Sequence, residues 1–309
     1  MTKLLTVFGA TGQQGGALIG HILATQALSS EFTLRGITRD ASKAAAQELK
    51  KKGVEIVEAD LNVPSTLAKA VAGSWAVFGV TNFWEEPREG LEVAQGKAIA
   101  DAAVAAGAHQ IIWSSLPHVS EMTKGAITSM KHFDGKAEVE SYIRTLDIKS
   151  MFFHAGWFMQ NHLTLMRPKQ VEDATYVLSM PWGPSAKLPL IDIRDAGRFI
   201  APALLDPNRY NRKRFACATA NYTISEMIAT WTKVTGKPLK LDNPKSTASY
   251  TGLSEEQKEE TAAVVKLGEY GYFGPDGDLE LSWTIEQVGE HERLTTWEQF
   301  LRDHEPWFS

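Results

Sequence analysis

Residues 4–15, LLTVFGATGQQG, decide the fold. Leu4-Leu5-Thr6-Val7-Phe8 is a short β-rich apolar run. Glycines at 9, 12 and 15 interrupt it, and Ala17, Leu18, Ile22 and Leu23 then recur at helical spacing. The stretch predicts strand, tight turn and helix, and the alternation continues downstream. Strands are predicted at 32–38, 54–58, 75–80, 110–114 and 149–154. Helices are predicted at 42–52, 64–71 and 91–106, the last closed by Gly107, with another through HFDGK at 132–136. Strands that are nearly continuous apolar runs, alternating with helices, specify a parallel sheet covered on both faces. The expected class is α/β, a Rossmann-type doubly wound parallel sheet with a smaller C-terminal α/β subdomain.

Beyond residue 155 the alternation loosens. Pro168, Pro181, Pro184 and Pro189 break the chain before IDIRDAGRFIAPALL, residues 191–205, resumes a strand-turn-helix reading. Thr223 to Thr235 reads as an amphipathic helix with a Ser/Thr start, closed by Gly236-Lys237-Pro238; residues 254–268 read as another helix and 271–278 as a loop. The division this implies is a Rossmann domain of residues 1–153 plus about 187–222, and a smaller substrate- or partner-binding subdomain of about 154–186 plus 223–309.

With 309 residues, 43% hydrophobic and 22% charged, the chain has the composition of a soluble globular protein with one dominant core and room for a subdomain. A net charge of -5 gives no basic footprint for a nucleic-acid backbone, so direct nucleic-acid binding is not expected, although Asn211-Arg212-Lys213-Arg214 is a local basic patch. The single cysteine, Cys217, excludes an internal disulfide and a thiolate zinc cluster, and fits a reducing cytoplasmic or nuclear compartment. No metal site is expected from the histidines, which lack paired ligand spacing on one helix. No apolar window of about eighteen residues exists, so no membrane span is expected.

Between a first strand and a first helix, the turn Gly9-Ala10-Thr11-Gly12-Gln13-Gln14-Gly15 suits a dinucleotide. Its glycines permit a tight turn and close backbone approach to a pyrophosphate, and the helix N-terminus adds partial positive charge. Read alone, the pattern is equally a structural turn. The second strand ends Gly36-Ile37-Thr38-Arg39-Asp40, where an NAD-specific fold needs an acidic residue. Arg39, helped by Lys43, can pair with a 2′-phosphate and favours NADP(H); the other reading makes both solvated charges and Asp40 a helix cap. Asp60-Leu61 suits an adenine or, equally, a turn. Thr81-Asn82-Phe83-Trp84 follows the fourth strand, at the edge where ligands of such sheets sit.

GATGQQG, the Thr38-Arg39 strand end, TNFWE, HFDGK, HAGWFMQN at 154–161 and IDIRDAG at 191–197 together resemble the NmrA-like family of atypical short-chain dehydrogenase/reductases. HFDGK plus TNFWE is similar in particular to that family's NADP-binding redox-sensor proteins. The resemblance covers most of the chain and implies a cofactor held between a Rossmann domain and a small α/β subdomain. It assigns Gly9, Thr11, Gly12, Gln13, Gln14 and Gly15 to the pyrophosphate, Arg39 to the 2′-phosphate, and Asp60 and Leu61 to the adenine. Thr81, Asn82 and Phe83 fall near the ribose and nicotinamide, Lys136 on the nicotinamide ribose, and Ala155-Gly156-Trp157-Phe158 over the nicotinamide. Many members carry a proline in the segment matching His154-Ala155-Gly156, and this chain has none.

In HFDGK, His132 stands where an ordinary short-chain reductase has its tyrosine, four residues before Lys136. Residues i and i+4 share a helix face. Imidazole, with a reference pKa near 6.5, holds a transferable proton near neutrality, so His132 is a candidate proton donor with Lys136 positioning the cofactor. Ser114 or Ser115 would orient a substrate or cap the strand end, and His118, His154 and His162 read as structural histidines. Trp84, Trp157 and Trp182, with Ser115, are candidate walls of a substrate pocket, whereas Trp113 and Trp231 read as core. Two function classes follow: an NADPH-dependent reductase of a small carbonyl, quinone or imine, and a non-catalytic NADP(H) sensor acting through a regulatory protein partner. A homodimer is compatible with either.

Overall fold

A computed structural model describes residues 2–88, 90–171, 175–243, 255–289 and 292–307, without the side chains of 255–257, 260 and 261. The strands are β1 Lys3–Val7, β2 Phe32–Thr38, β3 Glu55–Glu58, β4 Ala76–Gly79, β5 Gln110–Ser115, β6 Lys149–Ala155, β7 Trp157–Phe158, β8 Lys169–Gln170, β9 Tyr176–Ser179, β10 Lys187–Ile191, β11 Lys213–Cys217, β12 Ala220–Thr223 and β13 Leu239–Asp242. The helices are α1 Gln13–Ala24, α2 Gln26–Glu31, α3 Ala44–Lys51, α4 Leu67–Val71, α5 Leu91–Ala105, α6 Val119–Met122, α7 Lys131–Ile143, α8 Ala196–Leu205, α9 Ile224–Thr235, α10 Glu255–Leu267, α11 Gly277–Val288 and α12 Trp297–Asp303.

Seven strands form one sheet in the order β11-β6-β5-β4-β1-β2-β3, every neighbouring pair parallel. The expected doubly wound Rossmann arrangement is present. Period-two alternation explains the two cores. Ile112 joins Leu18, Ile19 and Ile22 of α1 and Phe199 and Ile200 of α8 on one face. Its neighbours Ile111 and Trp113 meet Ile99 of α5 and Val139 and Ile143 of α7 on the other. Helices α5 and α7 approach closely because position 96 is glycine; a Cβ there would lie 2.5 Å from a Val139 methyl.

Two three-stranded sheets, β12-β10-β7 and β13-β9-β8, make up the smaller part. Trp231, Trp297, Phe300 and Trp307 gather in its core with Met159 and Trp182. Helix α9 starts at the expected Thr223 in a reciprocal capping box with Glu226 and ends at Gly236, whose φ of 67° is the left-handed cap expected there. The expected partition needs correcting at two places. Strand β10, at 187–191, pairs with β7 and β12 rather than with the Rossmann sheet. Helix α11 packs on β11 and α8 of the large sheet, although it lies beyond residue 223. A Pro-broken stretch carries no local signal of which sheet a strand joins, because that is decided by distant pairing.

The far edge of the large sheet is tied by buried charge. His154 of β6 and Glu140 of α7 meet at 2.7 Å, and Arg144 and Arg214 also reach Glu140, at 2.7 and 3.6 Å. Burial favours the neutral forms of both partners. Glu140 escapes it because His154, Arg214 and Arg144 all face it, which holds its carboxyl at about 2. His154 is lowered by desolvation, and its Nδ1 has no hydrogen-bond partner among the described residues. That fits a neutral imidazole donating from Nε2 to a carboxylate. His162, fully buried edge-to-face against Trp297, is lowered to about 4 by desolvation alone. Cys217 is completely buried, and burial raises its thiol pKa. His154 and His162 are thus packed structural groups, and so are Trp113 and Trp231.

These shifts set the acid stability. A histidine whose folded pKa is lowered destabilises the fold as pH falls through its unfolded value near 6.5, with the loss complete below the folded value; a depressed carboxylate loses its stabilisation between its unfolded value, near 4.5, and its folded one. The thermal midpoint is expected to fall from pH 6.5 to about 4 through His162 and His154, and again toward about 2 through Glu140. Scanning calorimetry across this range should show the upper segment flattened in His162→Phe and the lower one in Glu140→Gln. An unchanged profile in His162→Phe would contradict the assignment.

Candidate functional site

The turn after β1 is built by absent side chains. Gly9 has a φ of 63°, in the left-handed region, and a Cβ there would lie 2.7 Å from Val80. A Cβ on Gly15 would come within 2.3 Å of the Gly9 carbonyl oxygen, so only glycine lets α1 begin this close to the strand. Gly12 is the N-cap residue and offers no side chain to cap the helix, and the first turn of α1 contains no acidic residue. Helix geometry leaves the first amides without intrahelical acceptors, so this 12-residue helix presents donors and partial positive charge at the carboxyl edge of the sheet. Gln14 is fixed across the cleft by a 2.7 Å hydrogen bond from the Ser114 hydroxyl at the end of β5.

At the β2 end, Arg39 is exposed and its guanidinium lies 2.6 Å from Glu85. Glu85 belongs to the 3-10 turn Phe83–Glu85 that follows β4. Because β1 lies between β2 and β4, this ion pair reaches across the end of β1 where the glycine turn sits. Asp40 accepts from the Ser42 amide and hydroxyl, as a turn residue does, and those bonds lower its pKa. Lys43 is exposed at the N-cap of α3, and the Thr38 hydroxyl bonds to the Asp40 backbone. Asp60 accepts from the Asn62 amide at 2.9 Å, and Leu61 is half-buried against the core. Asp60 therefore fills the turn role considered for it, Asp40 is a turn residue and not the cap of α3, whose N-cap is Lys43 with no side-chain capping bond, and Leu61 keeps a partly open face.

The other end of the cleft centres on a buried lysine. Lys136 Nζ donates to Glu92 Oε1 at 2.5 Å, to the Thr81 hydroxyl at 3.0 Å and to the Thr81 carbonyl at 3.1 Å. Thr81 in turn donates to the same Glu92 oxygen. Three ammonium protons meet three acceptors, so a contact to a ribose would require one to be exchanged. Desolvation lowers the Lys136 pKa, with Glu92 opposing. His132, one helical turn earlier, sits among aromatic rings: Phe133 at 4.8 Å, Trp84 at 5.0 Å and Phe83 at 5.8 Å between centroids. TNFWE and HFDGK, read separately in the sequence, thus form one cluster. Asn82 is exposed beside it.

The remaining predicted pocket residues divide into two groups. Trp84 is 57% exposed and packs on His132 at the rim. Ser115 is buried and donates to backbone carbonyls of Leu116 and Lys136, the capping role. Trp157 and Trp182 lie together edge-to-face at 5.2 Å, on the small-sheet side. Gly156 joins the two parts: its amide donates to the Cys217 carbonyl, and a Cβ on it would lie 2.4 Å from the Pro189 carbonyl oxygen. Ala155 and Phe158 flank it at the ends of β6 and β7. His118 caps α6 beside Asp134. Sequence reasoning missed Glu85 and Glu92. Glu85 closes TNFWE and Glu92 lies seven residues beyond it, and neither has a spacing that signals its partner. Among the described residues no cluster of three His, Cys, Asp or Glu could hold a metal, and no helix is long and apolar enough to cross a membrane.

The profile of the NmrA-like family matches residues 1–301. An NmrA-like family domain-containing oxidoreductase, ptmS, of Penicillium ochrochloron is 31% identical over 76% of this chain and 74% of its own. NmrA, a negative transcriptional regulator solved with NADP, superposes with a TM-score of 0.83 at 22% identity, covering 98% of this chain and 95% of its own. Triphenylmethane reductase of Citrobacter sp., solved with NADP(H), gives 0.74 at 22% identity over 97% and 99%.

An exposed ion pair such as Arg39–Glu85 is worth at most about 1 kcal/mol, so a 2′-phosphate dianion should displace Glu85. Titration calorimetry is expected to give Glu85→Gln a severalfold tighter NADP and an unchanged NAD, and Arg39→Gln at least a tenfold weaker NADP. Equal effects on both nucleotides would contradict the placement of the 2′-phosphate at Arg39. In the buried knot, Glu92→Gln leaves the Lys136 ammonium without its counter-charge, and a loss on the order of 3 kcal/mol is expected in denaturant unfolding.

Proposed function

The chain belongs to the NmrA-like family, and on that premise we propose that it is an NADPH-dependent reductase of a small carbonyl, quinone or imine compound. The observation that carries the nucleotide half of the reading is the carboxyl edge of the sheet, and the relatives named oxidoreductases support the reductase half. An uncapped α1 N-terminus follows a glycine cradle that any Cβ at position 15 would close, and an arginine stands at the end of β2 where the family's NADP binders need one. NADP(H) would lie with its pyrophosphate on Gly9–Gly15, its 2′-phosphate on Arg39 and its nicotinamide toward Ala155–Phe158. Bound there, a reduced nicotinamide would supply hydride. His132 would supply the proton: as a carbonyl carbon takes the hydride and the carbonyl electron pair moves to oxygen, that oxygen takes a proton from the imidazolium, and the imidazole left behind is reprotonated from water. Lys136, bonded to Thr81 and Glu92, is a positioning residue that holds the His132 helix against the loop after β4.

The sensor reading keeps the same nucleotide site without the proton transfer. Purified protein should oxidise NADPH in the presence of at least one aromatic ketone, quinone or imine in a panel followed at the nicotinamide absorbance. For a hit, His132→Ala is expected to lower kcat about a hundredfold with NADPH affinity retained. Tight NADPH binding with no turnover across the panel, or a rate indifferent to His132→Ala, would remove the catalytic role and favour the sensor.

A further inference from the structure

The loop between α10 and α11 holds a tyrosine that neither motif analysis nor the family pattern singles out. Tyr272 reaches back 117 residues in sequence to place its hydroxyl 3.4 Å from the carbonyl oxygen of Ala155, a long and weak hydrogen bond. Ala155 ends β6 at the same carboxyl edge as the glycine turn, and it begins the segment proposed to face the nicotinamide. The Tyr272 ring packs edge-on against Phe133, the immediate neighbour of His132, with centroids 5.6 Å apart. One residue thus touches both the strand end and the HFDGK helix.

Beside it lies a cavity of about 530 Å³, lined by Trp182, Leu188, Pro189, Val264, Tyr272 and Phe273 among others. The volume lies within the small-molecule range, and flat aromatic walls favour a flat occupant. A second donor stands one ring away: Trp157 Nε1 is buried, has no hydrogen-bond partner among the described residues, and belongs to the ring that meets Trp182 edge-to-face. A buried donor without an acceptor is disfavoured unless something supplies one.

We propose that this cavity is the substrate pocket and that Tyr272 is its specificity-determining hydroxyl, donating a hydrogen bond to the acceptor oxygen or nitrogen of a flat aromatic ketone, quinone or imine. The assignment rests on the reductase reading for the position of the nicotinamide. Its chemistry needs no proton to leave Tyr272. Burial raises the phenol pKa, so the hydroxyl stays a neutral donor across the working pH range, and its present acceptor is weak enough to be exchanged. The reductase reading already takes hydride from the nicotinamide and the proton from His132; the added role here is selecting a substrate by one acceptor atom above an apolar body.

The test uses full-length protein loaded with oxidised NADP, so that no turnover occurs, and equilibrium dialysis of two probes of nearly equal shape, 1,4-naphthoquinone and naphthalene. Tyr272→Phe keeps the ring packing and is expected to weaken naphthoquinone about tenfold while leaving naphthalene and NADP affinity unchanged. Equal naphthoquinone affinity in the two proteins, equal weakening of both probes, or no binding of either probe to the native protein would each overturn the assignment. NADPH oxidation measured alongside separates the two claims. Binding with the expected Tyr272 dependence but no turnover overturns the reductase reading and leaves the pocket standing; turnover with indifferent Tyr272→Phe binding does the reverse.

Discussion

The distance between α1 and the first strand governs the site. At position 15 the helix lies so close to the Gly9 carbonyl that a single methyl group would push it away. That closeness brings the helix amides to the edge of the sheet and aims their partial charge at the same point. The helix is also the main cover of one sheet face through Leu18, Ile19 and Ile22, so the constraint that makes an anion cradle is the one that closes a core. Binding geometry and folding geometry share one contact.

The opposite end of the cleft is organised by charge instead of by missing atoms. Lys136 and Glu92 are both buried, and neither would be tolerated alone. Their pairing through Thr81 ties the start of α5, the middle of α7 and the loop after β4 into one unit, which holds the aromatic rings around His132. The lysine in HFDGK therefore has a structural occupation already filled. Farther along α7, Glu140 repeats the device with His154 and two arginines.

Local features were legible in the sequence and long-range ones were not. The glycine turn, the strand-helix alternation, the helix start at Thr223 and the Gly236 cap depend on neighbours a few residues away, and each lies where the pattern predicts. Glu92 is 44 residues from Lys136, and Tyr272 is 117 from Ala155; no periodicity announces such meetings. Strand β10 shows the same limit at the level of topology, since its apolar run suits either sheet and only pairing with β7 and β12 decides. The tryptophans divide similarly: all three are candidate pocket walls in the sequence, but only ring contacts separate Trp84 on the rim from Trp157 and Trp182 beside the cavity.

The chain's one thiol sits at the end of β11 with no exposed surface, and its desolvation disfavours the reactive thiolate. Alkylating reagents and mild oxidants therefore meet a protein that is chemically blank at sulfur apart from its methionines. A cysteine introduced at an exposed site, for example Leu279→Cys at the start of α11, would be the single labelling position without any background mutation. A fluorophore there would report on the helix that follows the Tyr272 loop, which makes movement of that loop directly observable in the otherwise native chain.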